Sequence, residues 1–314
     1  MRRVLAPLVA LAFLAGCQGS KRKVIAVVPK ATSHLFWLTV QAGSMAAGRE
    51  LDVEVVWNGP PSETDYSRQI QIIDSLIARR VDGLAVAATD RTALVAPVER
   101  AVKAGIPVTV FDSGLDSESY LTFVATNNYE AGQMGARKLA ELIGRKGKVA
   151  VVMHAPGSAS TMDRERGFDE IMAKEFPAIQ IVARQFGMSD RSKARAAAEN
   201  MLAANPDLDG MFASSEPSSV GASLAIKARD LAGRIKLVTF DSSEGMVEDL
   251  KGGAIHAMLV QDPYRIGYEA VKTLVDHLAG RKPPKRMDLS AQVLTLADLN
   301  RPEVQKLLFP EVPK

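Results

Sequence analysis

The sequence predicts an α/β fold made of two doubly wound parallel sheets, and three observations lead there. From Lys23 onward, short β-branched runs alternate with longer stretches of helical period, the pattern of parallel strands covered by helices on both faces. The alternation pauses near Thr126-Asn127 and restarts at Tyr129, which divides about ten strands into two halves of similar rhythm. The 314 residues, 47% hydrophobic and 24% charged, suit a globular chain but exceed one small core, so two domains are expected. A single closed eightfold barrel is the alternative that the same alternation allows.

Taken in order, the first strand is Val24–Val28, an uncharged run of the kind that a strand buried on both faces requires. A helix over Phe36–Glu50 follows, then a strand at Val53–Trp57 and a helix over Tyr66–Arg79. Strands at Gly83–Ala87, Pro107–Phe111 and Leu121–Ala125, with a helix over Thr92–Ala104 between the first two, complete the first half. The second half begins with a helix over Tyr129–Ile143 and strands at Lys148–Met153 and Ile179–Arg184. It continues with a helix over Ser192–Ala204, a strand at Gly210–Ala213 and a helix over Ser218–Leu231. Strands at Lys236–Phe240 and Ala257–Val260 and a helix over Tyr264–Leu278 end the regular pattern.

Ahead of the first strand stands MRRVLAPLVALAFLAGC: two arginines, an apolar run from Val4 to Ala15, then small residues before Cys17. That run is shorter than the roughly 20 residues a membrane-spanning helix needs, so it reads as an export signal. Leu14-Ala15-Gly16-Cys17 resembles the bacterial lipobox, in which the cysteine is lipidated and becomes the first residue of the mature chain. Cys17 is the only cysteine, so no second thiol is available to pair with it. Residues 1–16 are thus expected to be a signal peptide and 17–22 a lipidated tether. The protein would sit on the periplasmic or cell-surface face of a bacterial membrane. The formal charge of +3 includes Arg2 and Arg3, and without residues 1–16 it falls to +1 (37 basic against 36 acidic), which gives nucleic acid no purchase.

In open parallel sheets, ligands lie beyond the carboxyl ends of the strands, and here those ends are polar and aromatic. The first strand runs into PKATSHLFW, that ending at Phe111 into DSG, and that near Val124 into ATNN. In the second half, the strand ends lead into HAPGSASTMDRERGF, SSEPSS, DSSEG and QDPYR. Carboxylates (Asp112, Asp241), carboxamides (Asn127, Gln261) and a guanidinium (Arg164), with no obvious nucleophile, suit a polyhydroxylated guest whose C–H surface an aromatic face can cover. Each residue also has a plainer use: Phe36 or Trp37 in the core of the first helix, Asp112 and Asp241 as helix caps, Arg164 in a surface ion pair. The four histidines show no metal-binding spacing. No G-x-G-x-x-G, phosphate-binding or G-x-S-x-G string occurs, and RKPPKR, Arg281 to Arg286, reads as a solvated turn.

From Lys23 to about Asn300 the chain resembles the ribose-type periplasmic sugar-binding proteins, the solute receptors of ABC importers. IAVVPKATSHLFWLTVQAG, VDGLAVAATD, GIPVTVFDSG, FVATNN, DRERGF, VTFDSS and VQDPYRIGYEAV stand in that family's order and spacing. The resemblance implies a type I periplasmic binding fold, with two lobes joined by a three-crossover hinge and a sugar held in the cleft between them. It places the lobes at 23–126 plus 262–288 and at 127–261 plus 289–300, with a tail at 301–314. It also makes Phe36 and Trp37 an aromatic clamp and Asp112, Asn127, Arg164, Asp241 and Gln261 polar ligand contacts. His34 and Glu216 complete the candidate set. The implied receptor is a monomer without cofactor, metal or catalytic residue, and it delivers its solute to a membrane permease.

Four departures from the family pattern bear on the choice of sugar. Ser113 follows Asp112 where the ribose binders have arginine, Ser215 stands before Glu216 where they have asparagine, His34 replaces an asparagine, and GMSDR lacks an aromatic. Ribose itself is therefore in question, while the sugar class is retained. Other readings are an exported hydrolase using a pair among Asp112, Glu216 and Asp241, and a sugar or signal-molecule receptor serving a sensor protein. A sugar-responsive repressor would need a DNA-binding headpiece where this chain has an export signal.

Overall fold

The computed structural model describes residues 22–309, so the export signal and Cys17 lie outside the described residues. In the first half, β1 (Val24–Val28), α1 (Leu35–Glu50), β2 (Glu54–Trp57), α2 (Tyr66–Ala78), β3 (Gly83–Val86), α3 (Val95–Lys103), β4 (Val108–Phe111) and β5 (Thr122–Thr126) alternate. The second half repeats the pattern with α4 (Asn128–Leu142), β6 (Gly147–Met153), α5 (Ala159–Glu175), β7 (Ile179–Phe186) and α6 (Arg191–Ala204). It continues through β8 (Gly210–Ala213), α7 (Glu216–Ala228), β9 (Lys236–Phe240), α8 (Glu244–Lys251) and β10 (Ala257–Val260). Then α9 (Pro263–Leu278) and β11 (Arg286–Leu289) return to the first unit, and β12 (Gln292–Leu294) and α10 (Pro302–Leu308) to the second.

The strands form two six-stranded sheets, ordered β2-β1-β3-β4-β5-β11 and β7-β6-β8-β9-β10-β12. The two orders are the same permutation, so each lobe is doubly wound and the chain passes between them after β5, after β10 and after β11. Within a buried strand, alternate residues feed opposite faces. Ile25 and Val27 pack under α1 and α9, while Ala26 and Val28 pack against α2 and α3. The second lobe repeats this with Val149 and Val151 under α4 and α5, and Ala150 and Val152 against α6 and α7.

All ten expected strands are present, four with the expected bounds and the others with ends shifted by one or two residues. Five elements were not expected. The apolar stripe of α5, Phe168, Ile171 and Met172, has helical spacing but is interrupted by charged residues. The remaining helices, α8 and α10, are short, and β11 and β12 are short edge strands with polar faces. The strand β12 also pairs antiparallel with β10, an exception to the all-parallel expectation.

Two details of the frame aim residues at the cleft. Helices α4 and α5 cross so closely that a methyl group added at Gly132 would lie 1.9 Å from the Arg164 carbonyl oxygen, so this glycine sets where Arg164 leaves its helix. Directly after β4 and β9, Asp112 and Asp241 take left-handed backbone angles of φ 55° and 68°. A non-glycine residue in that region is held there by its surroundings, and such strain gathers at functional sites.

Candidate functional site

Beyond the carboxyl ends of both sheets, a narrow cavity of about 30 Å³ lies between the lobes. The first lobe contributes Lys30 after β1, Glu63 between β2 and α2, Asp112 after β4, and His34, Phe36 and Trp37 at the start of α1. The second contributes His154 after β6, Arg164 on α5, Ser215 and Glu216 at the start of α7, and Asp241 after β9. Gln261 stands at the second crossing.

Asp112 is 3% exposed, and no hydrogen bond from a described residue reaches its carboxylate. Burial pushes its pKa up to about 6, against the pull of Lys30 and Arg164. Asp241 accepts from Gln261 Nε2 at 2.7 Å and from the Glu216 amide at 3.1 Å. Gln261, 2% exposed, is left with a buried Oε1 that has no donor. Arg164 is 3% exposed and donates to Asn128 Oδ1 at 2.7 Å and to the Ser214 carbonyl at 2.9 Å, with its guanidinium 3.6 Å over the Phe240 ring. Burial lowers its pKa while Asp241, Asp112 and Glu63 raise it, and an arginine remains charged regardless.

The two aromatics play unequal parts. Phe36 is half-buried and meets Trp37 edge to face at 4.9 Å. Trp37 is 2% exposed, packs against Phe111 and donates its indole N–H to Glu63 Oε1 at 2.9 Å. Both line the cavity, but Trp37 is a core residue with one edge in the site. Glu216 lines the cavity and is held by Arg191, whose side chain is exposed. Its pKa is raised by burial, against the pull of Arg191. His34 lies 3.3 Å from Glu63, which raises its pKa.

Asn127 stands apart from the other candidates, because it does not line the cavity. It caps α4: its side-chain carbonyl accepts from the Glu130 amide and its Nδ2 donates to the Glu130 carboxylate, while its backbone N–H bonds Leu289 at the hinge. The neighbouring Asn128 is the buried one that holds Arg164. Sequence reasoning also missed Lys30, Glu63 and His154. Lys30 and His154 do fall in strand-end loops, the signal that marked the others. Glu63 sits in PPSETD, a string that reads as an ordinary turn.

Two lobes of one topology, meeting over a cavity lined with carboxylates and aromatic rings, define a cleft-type solute-binding protein. Residues 25–282 match the family model of the periplasmic binding protein domain, and the chain belongs to that family. It is 30% identical over 272 residues to the D-ribose/D-allose-binding protein of Pseudomonas aeruginosa, covering 84% of this chain and 85% of that one. To the ribose import binding protein of Bacillus subtilis it is 28% identical over 279 residues, 88% of this chain and 89% of the other. Among solved structures, a carbohydrate transporter solute binding protein from Agrobacterium radiobacter in complex with D-arabinose matches with a TM-score of 0.90. The identity is 31%, and the match covers 92% of this chain and 99% of that one.

Proposed function

We propose that this protein is the solute receptor of an ABC importer, and that its solute is a monosaccharide or a similar small polyol passed on to a membrane permease. The observation that carries this reading is the unpartnered, buried carboxylate of Asp112 on one lobe, with Arg164, Asp241 and Gln261 Oε1 across or beside the same cavity. Neighbouring hydroxyls can donate to Asp112 and to Gln261, accept from Arg164, and leave a C–H face for Phe36 and the Trp37 edge. Hydrogen bonds to charged groups contribute about 1.5–3 kcal/mol each. Three or four of them, less ordering costs, reach micromolar affinity or better.

A thermal-shift screen of pentoses, hexoses and polyols tests the reading. Saturation at a hundred times the dissociation constant should add about 2.7 kcal/mol of stability. No shift with any of them would overturn the proposed solute class. The raised pKa of Asp112 also fits the acid of an exported hydrolase, and release of sugar from a glycoside by purified protein would decide for that. Glu216 is engaged by Arg191, and Asp241 by Gln261 and the Glu216 amide, which leaves neither as a free base beside it.

The lipid anchor at Cys17 belongs to the same proposal and is supported by the sequence ahead of β1. Cys17→Ser should move the protein from the membrane fraction to the soluble fraction. Continued membrane retention of the variant would refute the anchor.

A further inference from the structure

Away from the crossings, four polar contacts join the lobes among the described residues, and all end on one stretch of the second lobe, residues 154–160, which runs from β6 into the first turn of α5. Arg91 N–H donates to the Gly157 carbonyl at 2.8 Å, and Ser160 N–H to Ser113 Oγ at 3.4 Å. Lys30 Nζ donates to Ser158 Oγ at 2.9 Å, and His154 Nε2 lies 3.1 Å from Glu63 Oε2. The last two meet at one carboxylate, since Lys30 Nζ also lies 3.0 Å from Glu63 Oε2.

Glu63 is 8% exposed, and four groups surround it: Trp37 Nε1 at 2.9 Å and His34 Nδ1 at 3.3 Å on Oε1, with Lys30 and His154 on Oε2. Burial alone would raise its pKa, but Lys30, His154 and His34 more than offset this and hold it well below the ordinary value. His154 reaches Glu63 through Nε2 and, through Nδ1 at 2.9 Å, the Ser215 hydroxyl, which itself donates to Ser218; burial lowers its pKa, against the pull of Glu63. Lys30, His34 and Trp37 share a lobe with Glu63, whereas His154 belongs to the other. The contact between Glu63 and His154 therefore exists only when the lobes meet.

We propose that Glu63 is the positioning residue of the cleft: it fixes Lys30, His34 and Trp37 on the first lobe and, by reaching His154, favours closure independently of solute. The part of this that concerns affinity rests on the solute-receptor reading above. A contact found only in the closed form raises the closed fraction, and apparent affinity rises with that fraction.

The test uses Glu63→Gln, His154→Ala and the double variant, each checked for folding by circular dichroism. Small-angle X-ray scattering of sugar-free protein is expected to give a larger radius of gyration for each single variant than for the wild type, with no further increase in the double. Trp37 emission should shift in Glu63→Gln but not in His154→Ala, which separates the positioning arm from the closing arm. For the best-binding sugar of the screen, each single variant should raise Kd by about tenfold and the double by clearly less than a hundredfold. Unchanged scattering in all variants, or independent multiplication of their effects on Kd, would overturn the proposal. A screen in which no sugar binds would sink the solute reading alone, because scattering without sugar still decides for or against Glu63. If Glu63→Gln does not fold, the scattering of His154→Ala decides whether the contact favours closure.

Discussion

Replacing Arg164 with methionine is expected to raise the dissociation constant for sugar by at least about a hundredfold, or about 2.7 kcal/mol, and to lower the melting temperature as well. Methionine keeps much of the stem volume, so the loss comes from the guanidinium. That group bonds Asn128 and the Ser214 carbonyl, lies over Phe240, and supplies positive charge to Asp112, Asp241 and Glu63. Removing one member of a buried charge set commonly costs about 3–5 kcal/mol, because the charges left behind have lost both partner and solvent. Asp112 softens this by taking up a proton, since Arg164 is one of the groups that keep its pKa from rising further. Protonated Asp112 accepts fewer hydroxyl hydrogen bonds, so what stability regains, binding loses. Arg164→Lys retains the charge without the forked, planar donor and should fall between wild type and methionine. Calorimetric titration and thermal melting of the three proteins check the order. Wild-type affinity in the methionine variant would remove Arg164 from the site.

How much of this was legible in the sequence follows from how local each feature is. Central strands such as β1, β3 and β10 are buried on both faces and read as plain apolar runs, so they were visible. The edge strands β11 and β12 bury one residue each, which leaves little periodic signal. Within the site, Asp112, Asp241 and Gln261 directly follow strands and could be found by position alone. Arg164 could not, because it lies in the second turn of α5 among charges that resemble a solvated face; only the family register singled it out. Glu63 is the limiting case. Its neighbours Lys30 and His154 are 33 and 91 residues away in the chain, and nothing in a turn-like string announces a carboxylate that both lobes surround. Asn127 and Asn128 show the opposite failure: the pair was legible, but which member turns inward depends on where α4 starts.

Asp112→Ala is expected to raise Kd by at least about tenfold, the loss of one hydrogen bond to a charged group. The pH dependence of the wild type gives a finer check, because binding and stability respond with opposite sign. Solute hydroxyls donate to the ionised carboxylate, so binding favours loss of its proton. Affinity should therefore climb as pH rises through about 6 and level off above it. For folding, the same group has a pKa raised from 3.8 to about 6, so between these values the folded chain holds a proton that the unfolded chain has released. Its contribution to stability is complete below the unfolded value and is lost as pH rises through the folded one, by about 3 kcal/mol at most. Sugar-free protein should thus lose stability from this group over the interval in which sugar binding strengthens. Asp112→Asn cannot titrate and should flatten both trends while binding more weakly than wild type at pH 7. Titration calorimetry and melting curves from about pH 4.5 to 7.5 measure both, and an affinity that falls as pH rises through 6 would show that the solute does not bond the ionised carboxylate.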